Sequence, residues 1–531
     1  MVSEIKLFIE DHVKKIKDLS KKQRIAYWNS QTTGEDKYYK ETEELSKKLQ
    51  EIYNNKQDFE KVRKWNESEI KDPLLKRQIK ILYDSFLSCQ GNLKLIHELT
   101  EKESKIDQKF NKFRAKIGGK ELTDNEIKDI LQKEKDSVKL KEAWEASKKQ
   151  GELVEKELLE IIRLRNKLAK GLGFVNYYQM ALEIQEQSKD GIIGLFNELD
   201  KLTGKPFARV KNEMDKFLAK RYGISEEDLR PWHYQELFFQ QGPEIYDVDM
   251  GRYFDKDVIE SARTFYQGIG LLVDDVLERS DLYEKKGKCQ HAFCIDLDKE
   301  GDVRILQNVK NNEYWMGTTL HELGHASYCK NINRKLPYLL IDEAHTFTTE
   351  AVAMLFGRLT NTVSFIKKYG KADKKLDQIS GILVKKTQLS QLVFSRWVQV
   401  MVNFERRLYE NPEQDLNKLW WNLTKKYQLI NFSRDKPDWA AKIHLVTAPV
   451  YYHNYMLGEL LASQLHHFIV KNILKQDSLN DFDYSGNKKI GEFLKKNVFS
   501  PGAVKKWDEF IEDAVGENLT PKYFAEQFVG N

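Results

Sequence analysis

Only one of the ten prolines, Pro73, falls in the first 200 residues; the other nine lie beyond. Proline removes a backbone donor and clashes with the preceding turn, so a stretch almost free of it can run as long helices. The side-chain spacing agrees, because Leu158, Ile161, Ile162, Leu164 and Leu168 recur at helical intervals among Lys and Glu. Asn166 and Gly171-Leu172-Gly173 punctuate the exit of that helix. One stretch departs from the helical period. His291–Leu297 and Val303–Val309 flank Asp298–Asp302, and Ile295/Leu297 and Val303/Ile305 alternate with polar neighbours. That pattern predicts a short β-hairpin with a Gly-containing turn. No repeat or low-complexity linker divides the chain. The expectation is an all-α fold, one domain over residues 1–531, with a small hairpin.

A chain of 531 residues buries a sizeable core without difficulty. Its 87 basic and 82 acidic residues leave a formal charge of +5, with no concentrated basic face of the kind nucleic acid requires. Runs such as Lys47–Lys56 and Glu101–Lys116 interleave both signs and read as solvated helix faces. Four cysteines are too few and too scattered for a disulfide framework. Cys289 and Cys294 have no second pair to complete a metal site, so ordinary thiols are expected. The N-terminus meets acidic residues at once and builds no apolar signal core. No run approaches the ~18 apolar residues of a membrane span; Leu392–Val402 is interrupted by Arg396. A soluble, cytoplasmic protein without membrane or nucleic-acid partners is expected.

The strongest motif is His321-Glu322-Leu323-Gly324-His325. Residues four apart on a helix share a face, so both imidazoles can reach one ion over bonds of about 2.0–2.1 Å. Glu322 is turned about 100° from His321, which frees its carboxylate to act as general base rather than ligand. Gly324 lets another segment approach closely. A third donor is expected 25 residues after His325, at Glu350, in a run around Thr346–Leu355 that reads as a second helix. The loop between, containing Pro337, is long enough to return that helix against the first. Phe347, Val352, Met354 and Leu355 are apolar and favour an inward Glu350; His345 is the rival ligand. Two His and one Glu leave a fourth position open, as in a catalytic zinc site. Cys329, as a fourth ligand, would close the site, so it is expected beside it or in the core. No Gly-x-Ser-x-Gly elbow or phosphate-binding Gly-rich loop competes. The set points to zinc-dependent peptide hydrolysis.

From these residues outward the sequence resembles the peptidyl-dipeptidase A family, the relatives of angiotensin-converting enzyme, particularly its shorter microbial members. His291-Ala292 stands 30 residues before His321, where the family carries a His-Ala pair on a strand at the cleft edge. Lys442-Ile443-His444, Pro449 and Tyr452-His453-Asn454-Tyr455 look like its Lys-x-His…Pro…Tyr-x-x-Tyr segment. Arg165–Ala169, Gly171–Phe174 and Gly268–Val273 are further landmarks, so the likeness spans about residues 25 to 520. It implies a helical fold of two halves closing around a deep channel with zinc near its floor. It also implies release of a dipeptide from the C-terminus of an oligopeptide. Lys442 and Tyr452 would hold the terminal carboxylate. His291 and His444 would bind a peptide carbonyl near that end, the Ala292 backbone would pair with the substrate strand, and Tyr455 would donate to the oxyanion.

Several positions depart from that family's pattern. The second tyrosine falls one residue later than in the animal enzymes. Asn454 stands where they have an arginine that binds an activating chloride, so chloride dependence is not expected. Met354 stands one turn after Glu350, where they place a carboxylate behind a zinc histidine. The glutamine that helps hold the terminal carboxylate is expected near Trp232–Gln235, where Tyr234 and Gln235 both fit. The spacing of 25 also suits the thimet oligopeptidase and oligoendopeptidase family, which cuts internally, although His291-Ala292 and Lys442 argue against it. A carboxypeptidase on the same fold is a further alternative. A non-catalytic binding module is opposed by the intact His-Glu-His-Glu set.

Overall fold

The computed structural model describes residues 1–246 and 248–529. The chain is 68 % helical, and among the described residues its strands form two two-stranded antiparallel hairpins. The all-α expectation holds. The proline-poor region contains helices Val2–Thr33 and Ser137–Gly171, of 32 and 35 residues. Each boundary has a local cause. Asp136 accepts from the amides of Val138 and Lys139 to start the second, which ends at the expected glycine segment. Pro73 is the first residue of helix Pro73–Ser88, where a missing amide costs no bond, and Asp72 caps it. Pro206 is an exception to proline as a breaker: it lies buried inside helix Lys189–Tyr222, which runs through it.

One hairpin was not expected. The charged run Glu101–Lys116 is helical only to Lys112; Ala115–Ile117 then pairs with Lys120–Leu122. Gly118 and Gly119, at φ 56 and 81, make the turn, because two consecutive left-handed residues suit the twist of a tight hairpin. The expected hairpin is present but shorter than its pattern, pairing Phe293–Asp296 with Val303–Leu306. His291 and Ala292 therefore precede its first strand.

The main apolar core gathers residues from Ile106 to Phe528. A smaller core lies under the N-terminal helices, built on Ile5, Ile79, Leu82 and Phe86, and takes in Leu339 from the loop between the two site helices. The N-terminal helix also crosses the hairpin. Trp28 packs against Leu297 and Leu306, Arg24 donates to the Asp296 carbonyl at 3.0 Å, and Lys21 and Lys17 face Asp298 and Glu300 at 3.2 and 2.8 Å. Exposed pairs of this kind contribute little, so the buried Trp28 carries most of that contact. Beneath the crossing is a cavity of about 490 Å³, lined by Arg24, Ala292, Cys294, His321, Glu322 and Glu350 among others. No described helix is long and apolar enough to cross a membrane.

Candidate active site

Helix Glu313–Asn331, capped by Asn312, carries the motif; helix Thr346–Gly357 carries Glu350. They lie together because of Gly324: a Cβ there would stand 2.9 Å from the Ala353 Cα. Gly458, on helix His453–Phe468, faces the Glu350 side chain from the other side, where a Cβ would lie 3.4 Å from Glu350 Cγ. Three helices thus meet around Glu350, the first two at near-backbone contact.

His321 Nε2 and His325 Nε2 lie 3.2 Å apart, and Glu350 carboxylate oxygens lie 3.6 and 3.3 Å from them. A tetrahedral ion with bonds of about 2.0–2.1 Å separates its ligands by about 3.3 Å. The donor set therefore fits such an ion without rearrangement. All three side chains keep 17–29 % of their surface open to the cavity, which leaves room for a fourth ligand. His345 is not among the donors. Its Nδ1 accepts from the Phe347 amide and caps the Glu350 helix.

Burial pushes His321 down to about 4, against the opposing charge of Glu350, so its ring is in the neutral, ligating form. Burial also lowers His325, but the hydrogen bond and charge of Glu350 outweigh it and the net shift is upward. Glu350 itself ends below its ordinary value, because the bond to His325 and the charges of both rings outweigh burial. His325 Nδ1 lies 2.9 Å from Thr349 Oγ1; with that nitrogen as the donor, Nε2 presents its lone pair inward. His321 Nδ1 has no hydrogen-bond partner among the described residues. Thr349→Val is expected to weaken metal binding about 10–100-fold in chelator competition. Unchanged affinity would show that packing alone orients the ring.

Glu322 is 6 % exposed, lines the cavity, and leaves Oε2 without a partner. Burial, with a smaller contribution from Glu350, raises it to about 7 despite the opposing His325. A buried carboxylate oxygen without a hydrogen bond is costly unless something arrives to meet it.

A second cluster lies around Lys442, which is 6 % exposed. Gly151 allows helix Ser137–Gly171 to press on the turn just before it; a Cβ there would stand 2.3 Å from the Pro437 carbonyl. Lys442 Nζ donates to Gln240 Oε1 at 2.7 Å and sits 5.0–5.3 Å from the rings of Phe238, Trp397 and Tyr452. Burial lowers it to about 8, against the charge of Glu236. The Tyr452 hydroxyl accepts from Trp397 Nε1 at 2.7 Å and reaches Gln240 Oε1 at 3.4 Å. The His444 ring is 5.1 Å from that of Tyr452 and 6.4 Å from that of Tyr455; burial and Lys442 hold it near 4, and its buried Nδ1 has no partner. Tyr455 joins the two clusters: burial and the Glu350 carboxylate both raise its hydroxyl.

Three of the residues met here were not singled out from the sequence. Thr349 is a common residue type with nothing in the pattern to mark it. Tyr451 feels the charge of Glu350 as Tyr455 does and stacks edge-on with it at 5.4 Å. Gln240, not Tyr234 or Gln235, stands by Lys442. Tyr234 is bonded to Lys211 and Asp215, and Gln235, at φ 63, accepts from the Glu244 amide. The chain there is irregular, so no period could carry the reading five residues on. Ala292 lines the cavity, whereas His291 is exposed and outside its lining. Cys294 and Cys329 both line the cavity, and all four cysteines are free thiols. Asn454 is buried between Gln185 and Gln187.

A helical body that aims two imidazoles and a carboxylate at one point, with an unbonded carboxylate beside them, is a metallopeptidase of the His-Glu-x-x-His class. The chain belongs to the angiotensin-converting enzyme family, peptidase M2, whose pattern it matches over residues 2–233 and 238–528. Individual relatives are distant. It is 25 % identical to rat angiotensin-converting enzyme over 236 residues, covering 43 % of this chain and 18 % of the rat protein. It is 23 % identical to Carboxypeptidase 1 of Bacillus subtilis over 259 residues, 44 % of this chain and 51 % of that protein. It is likewise 23 % identical to the Drosophila melanogaster angiotensin-converting enzyme-related protein over 304 residues, 53 % and 47 % of the two. The matched region thus spans about half of these relatives or less.

Proposed function

We propose that the protein is a zinc-dependent peptidase that releases dipeptides from free C-termini of oligopeptides. The observation that carries this reading is Lys442, a buried cation hydrogen-bonded to a neutral amide, within reach of Tyr452. A buried charge without an opposite partner is costly, and the carboxylate of a peptide end supplies that partner. Zinc held by His321, His325 and Glu350 supplies Lewis-acid activation of water and of the scissile carbonyl. Glu322, through Oε2, takes a proton from the attacking water and passes it to the leaving amine; a value near 7 suits both tasks. Tyr455 donates to the developing oxyanion. His444 binds a peptide carbonyl, the exposed His291 turns inward to join it, and the Ala292 backbone, which lines the cavity, pairs with the substrate strand. Lys442, Tyr452 and Gln240 hold the terminal carboxylate.

The name of the Bacillus relative supports a second reading, removal of one C-terminal residue. Both readings need the free carboxylate, and an internal-cleaving oligopeptidase does not. Mass spectrometry of fragments from a peptide library with free and amidated C-termini separates all three. Loss of two residues from free-acid peptides only is the expected result; internal cuts in amidated peptides would overturn it. The pH profile is a second check. Because kcat/KM reports the free enzyme, it should fall for free-acid peptides as pH rises through about 8, where Lys442 loses its proton. Below that pH the ammonium is present and Lys442 adds no further change; the fall on the acid side, near 7, belongs to protonation of Glu322. Any residual cleavage of amidated peptides should show no such limb.

A further inference from the structure

Between His444 and Tyr455 the chain makes a turn at Val450, which is β-branched, 1 % exposed and at φ 54. A β-branched residue with positive φ is an outlier, and such strain persists only where the surroundings over-determine it. Here they hold both sides of the residue. Its amide donates to Glu405 Oε1 at 2.7 Å, and its carbonyl accepts from Gln185 Nε2 at 3.0 Å. Gln185 Oε1 also accepts from Asn454 Nδ2 at 2.6 Å, and Gln187 bonds Asn454 Oδ1 at 2.7 Å and His453 Nε2 at 2.6 Å. Upstream, Arg165, 1 % exposed, donates to the carbonyls of Leu445 and Val446 at 2.7 and 2.6 Å.

Glu405 is 3 % exposed and lies on helix Ser380–Glu410, while Gln185 ends helix Tyr177–Ile184. A buried carboxyl is a poor choice for packing alone, since an apolar residue of the same volume avoids its desolvation. Among the described residues, its side chain bonds the amide of the strained residue.

We infer that Glu405 and Gln185 are positioning residues, which hold Val450 left-handed and so aim the Tyr452 and Tyr455 rings. The inference rests on the roles proposed above for those two tyrosines. Tyr452 lies two residues beyond Val450, and Tyr455 lies in the first turn of the helix that follows. A return of Val450 to negative φ would swing both. Neither Glu405 nor Gln185 touches substrate; each acts through the turn.

The test compares Glu405→Leu, Glu405→Gln and Gln185→Met with the wild type in two readouts. One is hydrogen–deuterium exchange across residues 445–455 of the resting protein. The other is kcat and KM on a free-acid peptide, with metal content as control. Glu405→Leu is expected to speed exchange at the Val450 amide and to lower kcat/KM about 10²-fold, the effect of misplacing a reacting group by about 1 Å. Metal content should be unchanged. Glu405→Gln keeps a carbonyl acceptor and should restore both readouts to near wild type, which a role of the charge would not produce. Gln185→Met releases the turn from its carbonyl side and stands in if the leucine variant does not fold. A folded Leu or Met variant with wild-type kinetics overturns the inference, as does a Gln variant as impaired as the Leu one. The exchange readout needs no turnover. A wild type that cuts no free-acid peptide fells the proposed function, while rapid exchange at Val450 in that same wild type fells the clamp.

Discussion

Glu322→Gln is expected to keep the fold and the bound metal and to lose nearly all turnover. The side chain is 6 % exposed, stands outside the three-donor set and has a carboxylate oxygen with no partner. Glutamine fills the same space, so the core around it, including Leu320, Leu323 and Tyr266, has no reason to move. It cannot accept a proton. General acid–base catalysis by a positioned side chain is worth about 10²–10⁴-fold, and that is the drop expected in kcat. Elemental analysis, a thermal melt and single-substrate kinetics together decide it. A variant that retained more than about a tenth of the wild-type rate would move the base elsewhere.

Lys442→Ala should raise KM at least ~30-fold for free-acid peptides and leave any residual cleavage of amidated ones little changed. Removing one partner of a buried charge-assisted pair typically costs about 2–5 kcal/mol, whereas an exposed lysine matters by less than about 1 kcal/mol. Burial among Phe238, Trp397 and Tyr452 puts this lysine in the first class. Equal, small effects on both substrates would remove the C-terminal reading in favour of internal cleavage. The zinc chemistry would stand, since none of its donors belongs to this cluster.

The convergence of the three candidate donors was legible because its physics is local or nearly so. Two histidines four apart share a helix face wherever the helix goes, and an apolar neighbourhood marked Glu350 as inward. The long helices were legible from where proline is absent. What could not be read depends on distant segments meeting. Gln240 reaches Lys442 from 202 positions away, across a loop with no period to extrapolate. Val450 looks unremarkable in sequence, and its positive φ exists only because Glu405 and Gln185 converge on it. Thr349 orients a ring through a single hydroxyl that no pattern distinguishes from its neighbour Thr348. The hairpin at Gly118-Gly119 is different. Its turn residues are in plain view, but the alternating charges that lead up to them suit a helix face as well as a strand.

The helix that crosses the hairpin couples the start of the chain to the wall of the cavity. Arg24 lines that cavity and bonds the Asp296 carbonyl, 272 positions further along, while Trp28 is buried against Leu297 and Leu306. A change that loosens helix Val2–Thr33 therefore reaches the cavity wall without touching any of the three donors, and the two ends of that long sequence separation stand or fall together.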